Sequence, residues 1–295
     1  MIVRDKPGRL ELLFAVRGSV VPIIAPRVAF LMLTSAGMVW LHRRVDILPE
    51  PSEFGFTVFG IALSLFLGFR NNAAYDRWWE ARRLWGGLLA DVRSLARETQ
   101  IFVRNDDLRR TIIRASLAFL HLHRSSLRGG ADEDLRGGGD HDLVRMTSAC
   151  EPLNQAAKHI AAGQADFQLD GFGALSLAER LSSMTSHQAA CERIANTPLP
   201  FVYSLLIYRT TYIYCLLLPL VLVERAGWLT PLFVGIVAYV FLGLAEVSEE
   251  LSHPFGTTPN AIPLDALCRA AQISVAPHLG EEPPAPLEPR NYYLS

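Results

Sequence analysis

The side chains that most often do chemistry are all present in this sequence, but not at the spacings chemistry uses. His121 and His123 are two residues apart. On a helix such a pair points to different faces and does not readily share a metal ion, so both are read as structural. Cys150, Cys191, Cys215 and Cys268 form no C-x-x-C pair, which argues against a zinc module or a disulfide scaffold. Glu246, Glu249 and Glu250 lie close together, and carboxylate oxygens are ligands for hard cations; a solvated helix end is the simpler reading. No GxSxG, G-x-x-x-x-G-K, H-E-x-x-H or dinucleotide glycine fingerprint occurs. The sequence therefore predicts no catalytic residue, no metal site and no cofactor, and so no enzyme.

The elements that carry these residues point to a membrane. Of 295 residues, 50% are hydrophobic and only 19% charged, against about 25% charged in an ordinary soluble domain. The 28 basic and 29 acidic side chains nearly cancel, which gives no global attraction to nucleic acid. Four apolar stretches stand out: about Val20 to Leu41, Phe54 to Phe69, Leu199 to Val223 and Trp228 to Ala245. A helix of about 20 residues crosses a bilayer core of about 30 Å. The second stretch reaches that length only if it continues through Asn71 to Tyr75.

Arg4, Lys6, Arg9 and Arg17 precede the first stretch, and Arg70, Arg77, Arg82, Arg83, Arg93 and Arg97 follow the second. Excess arginine and lysine marks the cytoplasmic side, so both termini and the central region are placed there. No signal-peptide cleavage site is evident, and the basic start leads into an uncleaved anchor. The expected organisation is a cytoplasmic segment over 1–19, two transmembrane helices over 20–75 and a cytoplasmic helical domain over 76–198. Two more transmembrane helices then cover 199–247, followed by a cytoplasmic region over 248–279 and a Pro-rich extended tail over 280–295. Trp78, Trp79, Leu84, Trp85, Leu88, Leu89, Val92 and Leu95 recur at helical steps in the central region. The run from Gly129 to Asp142 reads as an exposed loop. The fold class is all-α, with a membrane half and a cytoplasmic half; Arg27, inside the first span, needs a partner within the bundle.

The second span carries two stripes. Gly60, Ser64 and Gly68 repeat every four residues, a small-residue face on which another helix packs closely. Ile61, Leu65 and Phe69 form a bulky stripe beside it. In a single bundle that stripe is core or lipid-facing surface. With several copies around an axis, the same residues become three stacked apolar rings, and such a constriction gates ions by dewetting with little charge selectivity.

From Gly68 to Gly86 the chain reads GFRNNAAYDRWWEARRLWG, and this segment resembles the bestrophin family. Arg17-Gly18-Ser19 before the first span, Pro198 to Tyr203 opening the third, and Glu249-Glu250-Leu251-x-x-Pro254-Phe255-Gly256 after the fourth fall in the same order. The resemblance covers about residues 10 to 270 and is similar to prokaryotic members. It implies a homopentameric ion channel with one axial pore, in the bacterial inner membrane, whose partners are other copies of itself, the lipid bilayer and the permeant ions. It also implies a neck at Ile61, Leu65 and Phe69 and a cytoplasmic aperture at Leu199. Arg70, Asn71 and Asn72 fit an inner vestibule or a subunit interface.

Two points modify that inheritance. Animal members follow Pro-Phe-Gly with an acidic run that helps bind calcium, whereas here Thr257 to Asp265 reads TTPNAIPLD, with one carboxylate. Calcium sites need several oxygen ligands, so no calcium clasp is expected. Family grounds favour chloride, but Asp46, Glu50 and Glu53 on the outer loop would attract cations, opposed by Arg43 and Arg44. A cation channel of the same architecture and a non-conducting membrane scaffold stay open as alternatives.

Overall fold

A computed structural model describes residues 1–2, 8, 15, 18–45, 53–129 and 148–295. Asp46 and Glu50, Arg17 of the Arg-Gly-Ser motif and nearly all of the glycine-rich run from Gly129 lie outside the described residues. The described residues are all-α apart from isolated bridges near the two ends of the chain. The helices are α1 (Val21–Val45), α2 (Glu53–Phe102), α3 (Asp106–Leu127), α4 (Glu151–Ala165), α5 (Gly171–Asn196), α6 (Phe201–Ala226), α7 (Thr230–Ser252) and α8 (Leu264–Leu279).

Among the described residues three helical stretches are long and apolar enough to cross a membrane: Val21–Val45, Glu53–Phe102 and Phe201–Ser252. The last is two helices, α6 and α7, joined by the 3-10 turn Gly227–Leu229. Gly227 has φ of 50°, a conformation open to glycine at little cost, and this lets the chain leave α6. The second stretch and the helical steps from Trp78 to Leu95 form one helix: α2 runs for 50 residues, about 75 Å at 1.5 Å per residue. No proline interrupts it, so the change from apolar to amphipathic composition alters the helix's surroundings and not its backbone.

The chain sorts into two compact units. The first joins Asp5–Trp78 to Pro198–His253. Its core packs Ile24 and Leu31 of α1 with Cys215 and Leu218 of α6 and with Val234, Ala238 and Leu242 of α7. Leu63 and Leu67 of α2 are buried with Ile207 and Ala245. Arg27 finds its expected partner here: Nη1 donates to Glu246 Oε2 at 3.1 Å, and Tyr208 Oη donates to the same oxygen at 3.2 Å.

The second unit comprises Met1–Arg4, Trp79–Thr197 and Pro254–Ser295. Trp85, Leu88, Val92 and Leu95 of α2 are fully buried, as are Ile112, Ile113 and Phe119 of α3 and Leu177 and Met184 of α5. Asn105 caps α3 by accepting from the backbone N–H of Asp107 and Leu108, and Asp106 and Asp107 fill the first turn, where the helix dipole favours negative charge. Asp170 caps α5 through the Gly173 N–H. The 280–295 segment is non-helical, as its prolines dictate, but its end is anchored. Leu294 N–H donates to Met1 O at 2.8 Å and Ala266 N–H to Ser295 O at 2.9 Å. Ile2 N–H bonds Pro259 O at 2.8 Å, bracing the loop that precedes α8.

Candidate pore face

Ile61, Leu65 and Phe69 are four residues apart on α2, and they remain 64%, 58% and 64% exposed. Large apolar side chains seldom line up in the open on one helix face without a lipid, protein or pore environment to meet them. They form one side of a groove of about 720 Å³, shared with Thr57, Ser64 and Asn72, whose other side is Tyr214 of α6 and Val237 and Phe241 of α7. The buried face of α2 is the opposite one, through Leu63 and Leu67.

Tyr214 organises this groove. Its ring stacks on Phe56 at 4.4 Å between centroids and meets Phe59 and Phe241 edge-on at 5.6 Å each. Its hydroxyl lies where a Cβ on Gly60 would be, at 2.6 Å, so glycine at 60 is what admits it. Ser64 Oγ donates to Gly60 O at 2.9 Å. Gly68 differs, because a Cβ there would meet nothing within 4 Å. The small-residue stripe is thus used by a tyrosine side chain at one end and is open within this chain at the other.

Below the groove the side chains diverge. Asn72 is exposed and lines it. Asn71 accepts a hydrogen bond from Ser248 Oγ at 3.3 Å. Arg70 is buried; it pairs with Glu249 and donates to Ser204 Oγ at 2.9 Å. The expected solvated helix end is therefore corrected at Glu246 and Glu249, which pair with Arg27 and Arg70. Leu199 is half-buried in the short connection before α6.

At the other end of the same unit, Glu53 pairs with Arg225 at 2.7 Å. His42 Nε2 lies 2.8 Å from Glu224 Oε1, and Arg43 covers the Trp228 ring at 5.6 Å. Among the described residues at this end, Glu53 thus has a cationic partner. Arg44 similarly covers Trp40 at 5.6 Å.

Of the groups first considered for chemistry, His123, Cys191, Cys215 and Cys268 are buried. His123 stacks between Trp85 and Phe119 at 5.6 and 5.7 Å, and burial lowers its pKa to about 4. His121, lowered to about 4 by burial and then by Arg124 and Arg269, shares a 2.9 Å contact with Gln272. Burial pushes the Cys191 and Cys268 thiols up to about 12, far from the reactive thiolate. Among the described residues no group of three His, Cys, Asp or Glu could hold a metal. Tyr214 was missed from the sequence, where it is one aromatic in a long apolar run with nothing to set it apart.

Known proteins resemble the chain over most of its length. A family model described as Bacterial/Fungal Bestrophin protein matches residues 1–277. A protein of Mesorhizobium japonicum named a voltage-dependent anion channel-forming protein is 44% identical over 303 residues, covering 100% of this chain and 97% of that relative. The Escherichia coli protein YneE, of the same description, is 35% identical, with 99% of both chains covered. The crystal structure of a bacterial bestrophin homologue from Klebsiella pneumoniae superposes with a TM-score of 0.81 at 31% identity, covering 88% of this chain and 100% of that one.

Proposed function

We propose that this chain, which belongs to the bacterial and fungal bestrophin family, is the subunit of an ion channel that passes small monovalent ions passively, anions before cations. Its pore is axial, and Ile61, Leu65 and Phe69 form its apolar neck. The observation that carries this reading is the row of three large apolar side chains left open on one face of α2. Four spanning helices alone make a poor pore, so the pore needs several copies around one axis; the family resemblance makes that number five. Leu199 is assigned to a second, cytoplasmic aperture. Asn72, exposed next to the neck, is the best placed of the three polar residues to line the inner vestibule.

The anion preference draws on the descriptions of the relatives from Mesorhizobium and Escherichia. The competing cation reading relied on an acidic outer mouth, and the pairing of Glu53 with Arg225 weakens that attraction. The chain is a membrane protein. The arginine distribution supports four passes with both termini in the cytoplasm, and the family resemblance supports the bacterial inner membrane.

The channel needs no calcium clasp. Asp265, the single carboxylate after Pro-Phe-Gly, accepts from Arg124 at 2.7 Å and from Arg128 at 2.8 Å. Burial works to raise its pKa, but the Arg128 hydrogen bond and the two guanidinium charges hold it below the usual carboxylate value. A carboxylate engaged in this way has little left to offer a cation. Conductance of the purified protein is therefore unchanged by micromolar calcium, and a rise would contradict this assignment.

Leu65→Ala separates channel from scaffold. If Leu65 rings a pore, shrinking it changes unitary conductance while the half-exposed site loses little stability. If the face only packs helices, conductance does not exist to be changed, and the substitution costs roughly 2–5 kcal/mol as a buried leucine would.

A further inference from the structure

Phe69 and Arg70 are neighbours, yet their side chains go opposite ways. Phe69 stays on the open face at 64% exposure, whereas the Arg70 side chain is 2% exposed. The guanidinium engages two other helices. Nη2 donates to Ser204 Oγ on α6 at 2.9 Å and to Glu249 Oε2 on α7, and Nη1 donates to the Ala245 carbonyl at 3.4 Å. Its Nε is buried without a partner among the described residues. On the same stretch of α2, Asn71 accepts from Ser248 and Arg77 Nε donates to the Ser252 carbonyl at 2.8 Å.

Over these two turns α2 is tied to α7 by directional bonds. Immediately before them, Leu63 and Leu67 hold α2 against Ile207 and Ala245 by apolar packing alone. Apolar packing is non-directional, so by itself it tolerates small rotations of a helix about its axis. A planar guanidinium held by fixed acceptors on two helices does not. Burying that charge is costly, and a leucine would give cohesion without the cost. What the pair adds is orientation.

We infer that Arg70, held by Glu249, is a positioning residue for permeation: it sets the rotation of α2 and so aims Phe69 and Leu65 at the pore axis. The inference rests on the neck assignment above. The test is unitary conductance of the full-length protein in planar bilayers for Arg70→Lys, Arg70→Met and Glu249→Gln, with oligomer size checked before each recording. Lysine keeps the charge but loses the fork, so charge and positioning separate.

The expected result is a severalfold change in conductance for all three, in oligomers of unchanged size. Unaltered conductance in all three overturns the inference, and so does unaltered conductance in Arg70→Lys alone, because charge would then suffice. Should Arg70→Met fail to fold, Arg70→Lys and the near-isosteric Glu249→Gln decide the matter. If Leu65→Ala also leaves conductance unchanged, the neck assignment itself has failed. If Leu65→Ala changes it and these variants do not, only the positioning role has.

Discussion

A histidine packed between two aromatic rings, with both ring nitrogens buried and without a hydrogen-bond partner among the described residues, makes the second compact unit sensitive to pH. That residue is His123. Its pKa of about 4 in the folded chain lies below the ordinary 6.5, so the unfolded chain takes up the proton first. Stability is therefore complete above about pH 6.5 and declines as pH falls towards 4. A shift of this size corresponds to about 3 kcal/mol, and His121 adds a similar contribution in the same window. The apparent unfolding midpoint in detergent should fall across that range, and His123→Phe, which keeps the stacked packing and removes the titration, should make the fall shallower. An equally steep fall in His123→Phe would contradict this assignment. From the sequence, the two-residue spacing of His121 and His123 argued against a shared metal; Phe119 is an i,i+4 neighbour of His123 on α3, but Trp85 comes from another helix and no local pattern connects it.

At the scale of helices, periodicity carried most of the information. The stripes of α2 were legible because membrane helices keep a fixed angular step. The length of α2 was not legible from composition: polarity changes near Tyr75, but the backbone has no breaker there and continues to Phe102. The role of the glutamates on α7 was hidden for another reason. Their arginine partners lie 219 and 179 residues away in sequence, beyond any local window. The two glycines of the small-residue stripe give an element-level prediction. Gly60→Ala must displace the Tyr214 hydroxyl from 2.6 Å and should destabilise by roughly 1–3 kcal/mol, the usual range for overpacking. Gly68→Ala meets nothing in this chain and should gain up to about 1 kcal/mol from helix propensity. Thermal unfolding of the two variants in detergent checks the contrast. Equal effects would contradict the different use of the two glycines, and loss of the oligomer in Gly68→Ala would place another copy against that position.

For the whole molecule, the sequence motifs and the family match agree on a bestrophin, and the open apolar face of α2 is where one chain is incomplete by itself. In the proposed channel, ion preference belongs to the assembled molecule, because a dewetting neck discriminates little by charge and selection would fall to its entrances. At the end of the bundle proposed as the outer one, Glu53 pairs with Arg225, which weakens any acidic attraction from the described residues. The most direct measurement is the reversal potential of the purified protein in a planar bilayer under an asymmetric KCl gradient. This account predicts a reversal close to the chloride equilibrium potential. A reversal close to the potassium equilibrium potential would contradict the anion assignment, and absence of current from verified, inserted oligomers would contradict the channel itself.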